Sequence, residues 1–299
     1  MPTNDKQLFM LPFDHRSSLL EKIFGKKNLS GSEVQKFIEL KKIIYEGFKK
    51  ALIFGLPKEA AAILVDEEFG YEILQDAKKQ NIAFAMPVEK SGQAEFDFEF
   101  GENFPTHIEK FQPTFVKVLL RYNPEGNVMM NSRQRERLQI LNNWCKDNDY
   151  QFLLEMLVPA TDTQLASVDN EVTRFNNELR PRLALKAISE LQNAGVKPNI
   201  WKIEGFDSSN DYKNTIGEIK KNNPETKMII LGRGENPTQV EKWLTAGKNI
   251  PGVIGFAIGR TIFQNSILDF FSKKITAEVA TDQICNNYLY FYQVFTTKS

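Results

Sequence analysis

The chain has 299 residues, 41% of them hydrophobic and 25% charged, enough to bury a core as one large α/β domain or two smaller ones. Lys+Arg and Asp+Glu each number 38, so the formal net charge is zero and gives no support for nucleic-acid binding, which needs a clustered basic surface. The opening Met1-Pro2-Thr3-Asn4-Asp5-Lys6 lacks the apolar run of a signal peptide, and no stretch approaches the roughly 20 apolar residues of a membrane span, so no membrane partner is expected.

Short apolar runs alternate with longer amphipathic stretches along the chain. The runs are Leu8 to Phe13, Ala61 to Val65, Ile82 to Val88, Phe115 to Leu120, Phe152 to Val158, Ile200 to Ile203, Met228 to Leu231 and Val253 to Ile258. They are continuously hydrophobic rather than alternating, as parallel strands covered on both faces should be. Between them lie helical patterns. Val34 to Phe54 has Phe37, Leu40, Ile43, Ile44 and Phe48 on one side, and Arg133 to Lys146 has Leu138, Leu141 and Cys145. Pro181 and Pro237 fit first helical turns, and Gly195 and Gly247 fit the stops.

Eight strands each followed by a helix predict a (β/α)8 TIM barrel of class α/β. It would fill residues 1–299 as a single domain, with a C-terminal helical segment over about 274–299. A doubly wound open sheet is the competitor, but no Gly-rich dinucleotide turn follows the first run. In the final segment Tyr288, Phe291, Tyr292 and Phe295 form a stripe at helical spacing, which reads as core or as the interface of a homo-oligomer.

Three of the core runs carry a charge: Lys117 in the fourth, Glu155 in the fifth and Lys202 in the sixth. A buried ammonium or carboxylate is costly unless it is paired or used. In a barrel the site lies at the C-terminal strand ends, so these three strands should converge on one polar centre. Lys202 is the candidate nucleophile, attacking a ketone or aldehyde to form an iminium that accepts electrons when a neighbouring C–C bond breaks. The amine must be neutral to attack, and burial beside the positive Lys117 would favour that form. Glu155, on the intervening strand, is the candidate proton carrier. The competing reading is a Lys202–Glu155 ion pair with no chemical role.

Glycine stands at the ends of the last two strands, in Gly232-Arg233-Gly234 and in Gly259-Arg260. Bare backbone N–H groups and a helix N-terminus there suit a phosphate, with Arg260 adding a charged fork. Asp14 is read as gripping substrate hydroxyls and Arg16 a second anionic group. Asp66-Glu67-Glu68 has the carboxylates to bind a metal but reads rather as a solvated turn or as hydroxyl contacts, with Asp66 the candidate, and Glu89 as rim. The two cysteines, Cys145 and Cys285, and the two histidines, His15 and His107, show no metal-like spacing. No metal and no cofactor are expected, and cysteine usage suits a reducing cytoplasm.

These segments resemble the class I aldolases of the tagatose-bisphosphate aldolase type. They resemble more closely the related 2-deoxy-5-keto-gluconate 6-phosphate aldolase domain, often fused behind a sugar kinase in inositol breakdown. The matching stretches are Leu11-Pro12-Phe13-Asp14-His15-Arg16, Leu64-Val65-Asp66-Glu67-Glu68-Phe69-Gly70, Phe115-Val116-Lys117-Val118-Leu119, Phe152-Leu153-Leu154-Glu155, Trp201-Lys202-Ile203-Glu204 and Ile258-Gly259-Arg260. The resemblance implies a metal-free mechanism with the Schiff-base lysine on Lys202, the second lysine on Lys117 and the acid/base glutamate on Glu155. It implies substrate contacts at Asp14, Arg16, Gly259 and Arg260. The chain departs from the pattern at Gly232-Arg233-Gly234, where the bisphosphate enzymes have a small-residue Ser-Ala-Gly turn, and the sugar-kinase domain of the fused form is not seen ahead of the barrel.

The expected activity is therefore a class I aldolase (a carbon–carbon lyase). It would reversibly cleave a phosphorylated keto-sugar or keto-sugar acid, such as 2-deoxy-5-keto-gluconate 6-phosphate, to dihydroxyacetone phosphate and an aldehyde. The alternatives are a tagatose or fructose bisphosphate aldolase, a phosphosugar-binding regulator without turnover, and a lysine-dependent decarboxylase or isomerase on the same barrel.

Overall fold

A computed structural model describes residues 6–14, 17–26 and 28–297. The expected eight strands are all present: β1 (Leu8–Pro12), β2 (Ala61–Leu64), β3 (Ala83–Pro87), β4 (Phe115–Arg121), β5 (Gln151–Leu157), β6 (Ile200–Glu204), β7 (Lys227–Leu231) and β8 (Val253–Ala257). Each pairs in parallel with the next, and β1 pairs with β8, so the sheet closes into a (β/α)8 barrel.

The side-chain period of two explains why the runs are apolar throughout. Met10, Leu64, Ala85, Phe115, Leu153, Ile200, Ile229 and Ala257, one from each strand, join a single cluster that fills the barrel. Their neighbours in sequence, among them Phe9, Ile63, Phe84, Val116, Leu154, Trp201, Ile230 and Phe256, belong to the outer core shared with the helices. Two residues beyond the inner cluster the same face turns polar: Phe115 leads to Lys117, Leu153 to Glu155 and Ile200 to Lys202.

Helix boundaries follow the local signals with one exception. Helix Arg180–Asn193 ends before Gly195, whose φ of +81° is the left-handed stop that glycine provides. Helix Pro237–Gly247, by contrast, contains its glycine. A Cβ on Gly247 would lie 2.6 Å from Ile230 Cδ1, so that glycine admits the strand rather than ending the helix.

The last helix, Ala277–Thr296, lies along helix Gly31–Ile53. Tyr288, Phe291 and Phe295 of the aromatic stripe are buried, with Tyr288 against Phe48 and Phe256. The Tyr288 hydroxyl donates to the Phe9 carbonyl of β1 at 2.7 Å. These aromatics serve the intramolecular core. No helix among the described residues is long and apolar enough to cross a membrane.

Candidate active site

The mouth of the barrel holds a cavity of about 530 Å³, a volume ordinary for a small-molecule site. Its floor is the polar layer just above the inner apolar cluster. Glu155 and Lys202 are opposite each other in the β5–β6 register, and Lys202 Nζ lies 2.9 Å from Glu155 Oε2. The same oxygen is 3.2 Å from Lys117 Nζ, so one carboxylate oxygen is shared by two lysine side chains.

Lys117 also donates to Asp14 Oδ2 at 2.8 Å and Glu89 Oε1 at 2.6 Å. Burial pulls its pKa down, but Asp14, Glu89 and Glu155 outweigh burial and raise it above the ordinary lysine value. Lys117 is therefore a fixed cation. For Glu155 burial pushes upward, and the charges of Lys202 and Lys117 outweigh it, holding the carboxyl below its usual range.

Glu89 corrects the reading of that residue as rim. It is 5% exposed and belongs to the central ion-pair chain. The signal was available in the alternation that runs out of β3 into the segment after it, where Ala85, Pro87 and Glu89 share one parity and Ala85 faces inward.

Asp66 is a correction of the opposite kind. It caps helix Glu67–Lys79, accepting from Phe69 N at 2.8 Å, and forms a buried ion pair with Lys41 of helix Gly31–Ile53. It does not line the cavity. Its neighbour Glu67 accepts from Lys110 and contacts His107 Nδ1 at 2.6 Å, away from the lysines. Arg16 and His15 lie outside the described residues.

At the β7–β8 side, Gly234, Gly259 and Arg260 line the cavity and Gly232 does not. Arg260 donates from Nη2 to the Arg233 carbonyl at 2.6 Å. Burial pulls its guanidinium below the usual value, against the opposing pull of Glu155 and Asp14. Gly234, at φ +78°, packs under this guanidinium, since a Cβ there would lie 2.7 Å from Arg260 Cζ.

Sequence reasoning gave no role to the polar wall beside them. Arg233, itself at φ +53°, sets its Nε 3.1 Å from Glu204 Oε1. Asn176 Oδ1 accepts from Arg233 Nη1 at 3.1 Å and from Arg180 Nε at 3.2 Å. Asn176 sits in a π-helical turn, Phe175–Leu179, a distortion that often marks a functional site. No periodicity announces such a turn. Among the described residues, no group of three or more His, Cys, Asp or Glu side chains is placed to hold a metal ion.

Fold and site together define a (β/α)8 barrel whose mouth converges two lysines and three carboxylates beside a glycine–arginine rim. The chain belongs to the family described as "Uncharacterized protein conserved in bacteria (DUF2090)", whose model matches residues 2–299. It is 23% identical over 287 residues to tagatose 1,6-diphosphate aldolase 1 of Streptococcus mutans, covering 88% of this chain and 82% of that one. Its fold is similar to that of an archaeal fructose 1,6-bisphosphate aldolase, at TM-score 0.59 and 10% identity over 97% of this chain and 94% of the other. The fructose-bisphosphate aldolase of Slackia heliotrinireducens is similar at TM-score 0.61 and 10% identity, covering 94% and 86%. A Schiff-base-forming fructose-1,6-bisphosphate aldolase is similar at TM-score 0.56 and 13% identity, covering 92% and 94%. The protein is thus aldolase-like in fold and, weakly, in sequence.

Proposed function

We propose that the protein is a class I aldolase that reversibly cleaves a phosphorylated keto-sugar or keto-sugar acid to dihydroxyacetone phosphate and an aldehyde. The observation that carries this reading is the Glu155 oxygen held 2.9 Å from Lys202 Nζ and 3.2 Å from Lys117 Nζ at the cavity floor. A nucleophile beside a proton carrier, with a permanent cation on its far side, is the minimum that iminium chemistry needs.

Lys202 gives up a proton to Glu155 and attacks the carbonyl carbon, forming a carbinolamine. Glu155 returns the proton to the carbinolamine hydroxyl, which leaves as water, and an iminium remains. A base then takes the proton of the hydroxyl on the carbon beyond the scissile bond, and that C–C bond breaks. Its electron pair flows into the iminium to give an enamine, and the aldehyde departs. Protonation of the enamine carbon and hydrolysis release the ketone and restore the amine. Lys117, kept charged by its three carboxylates, is unsuited to the nucleophile's part and suits stabilising developing negative charge on oxygen.

The keto-sugar acid 2-deoxy-5-keto-gluconate 6-phosphate is the favoured substrate, with malonate semialdehyde as the aldehyde product. Similarity to the Streptococcus mutans enzyme supports a ketose bisphosphate as the second candidate. The test is to incubate the protein with dihydroxyacetone phosphate, reduce with borohydride and map the adduct by mass spectrometry. Covalent mass on Lys202, absent from Lys202→Met, is the expected result. Cleavage activity that survives Lys202→Met and is lost to a chelator would overturn the reading.

A further inference from the structure

Among the described residues, six cationic side chains line the cavity, and four of them face carboxylates: Lys90 faces Asp97, Lys117 its three acids, Lys202 Glu155, and Arg233 Glu204. Among the described residues, the other two, Arg121 and Arg260, form no carboxylate ion pair. Each guanidinium is instead held by one backbone carbonyl, Arg121 Nη1 by Gln93 O at 2.9 Å and Arg260 Nη2 by Arg233 O at 2.6 Å. A guanidinium has five N–H donors, so most of the donors of each fork are uncommitted to protein acids.

Their positions are opposed. Arg121 ends β4 and Arg260 follows β8, and in a closed ring of eight strands these two are four apart in either direction. Lys117, Glu155 and Lys202 lie on the floor between them. Arg121 shares the inward parity of Lys117, four residues earlier on the same strand, and its register partner on β5 is Leu157.

We infer that Arg121 is a specificity-determining residue that binds a carboxylate at the end of the substrate remote from the phosphate, so that the two unpaired guanidinium groups measure out a doubly anionic, six-carbon-scale ligand. The two ends differ in the anion they suit. At the β8 end, Gly234, Gly259 and the start of the twelve-residue helix Arg260–Phe271 offer backbone N–H groups around the guanidinium, as a phosphate demands. At the β4 end the next helix begins only at Val128, which does not line the cavity. A single planar fork beside leucine matches a carboxylate.

The inference deepens the aldolase reading, yet its test does not depend on turnover. The probes are three phosphorylated sugar derivatives without a carbonyl able to form an iminium: 6-phosphogluconate, glucitol 6-phosphate and glucitol 1,6-bisphosphate. Binding to wild type and to Arg121→Met is measured by calorimetry. The expected result is that the substitution weakens 6-phosphogluconate roughly 10- to 100-fold, as loss of a charge-assisted hydrogen-bonding pair should, and leaves glucitol 6-phosphate unchanged.

Equal weakening of glucitol 6-phosphate would show a structural role and overturn the inference, as would failure of the wild type to prefer 6-phosphogluconate. Weakening of the bisphosphate as large as that of the acid would overturn the carboxylate assignment in favour of a second phosphate. Borohydride trapping on Lys202, run in parallel with dihydroxyacetone phosphate, separates failure of the aldolase reading from failure of this one. Arg121→Met should trap as wild type does.

Discussion

Lys41 and Asp66 form an ion pair shut off from solvent, between helix Gly31–Ile53 and the first turn of helix Glu67–Lys79. The rings of Phe37 and Phe69 flank the ammonium at 5.2 Å and 5.6 Å, where it has little access to water. Asp66→Asn keeps a capping oxygen but removes the balancing charge. It is expected to destabilise the fold by about 3–5 kcal/mol in denaturant unfolding. Cleavage kinetics measured well below the variant's unfolding midpoint should match wild type, because the pair is remote from the lysines of the cavity. A raised KM at full stability would return Asp66 to the substrate.

Removing Lys117 should invert the protein's response to acid. Lys117→Met leaves Asp14, Glu89 and Glu155 crowded together without the cation that three of their oxygens contact. The expected loss is about 3–5 kcal/mol at neutral pH. Mutual repulsion and burial would then raise the carboxyl pKa values in the folded state. Groups raised in this way stabilise below their unfolded pKa and lose that contribution as pH rises. The deficit relative to wild type should therefore shrink as pH falls toward 4, as urea midpoints across a pH series would show.

Glu155→Gln tests the shared oxygen directly. The amide keeps the shape but carries no charge and accepts no proton, so cleavage should fall by about 10²- to 10⁴-fold. In wild type the Glu155 carboxyl is held below its ordinary value of 4.5. The stability it contributes is complete above that pH and is lost as pH falls through the lowered folded value. That component of the acid limb should be missing from the unfolding profile of Glu155→Gln.

Gly234→Ala should act through its neighbour. Alanine at φ +78° costs about 1–2 kcal/mol of backbone strain, and its Cβ would lie 2.7 Å from Arg260 Cζ. The guanidinium must shift, so KM for a phosphorylated substrate is expected to rise about tenfold with a smaller effect on kcat. Unchanged KM would detach Arg260 from phosphate binding.

The parts legible beforehand were those with a periodic signature. Eight apolar runs specified the barrel, and a charge inside a buried run singled out Lys117, Glu155 and Lys202. The failures share a cause: each depends on where the chain turns or on a partner distant in sequence. Asp66 has the inward parity of Ala62 and Leu64, but β2 stops at Leu64 and a helix starts at Glu67, so the backbone carries the carboxylate away to Lys41. Arg180 and Asn176 reach Glu204 and Arg233 only through a π-turn in a segment with no strand of its own.

The hydroxyl of Tyr288 meets the carbonyl of Phe9 across 279 positions of sequence. Protein synthesis delivers Phe9 long before Tyr288. While the nascent chain grows, β1 waits with an unsatisfied edge for β8, and the helix that clasps their seam emerges only afterwards. The ring can thus close only once β8 has been made. A ribosome that stalls before Val253 leaves the β1 and β7 edges unpaired for chaperones to guard.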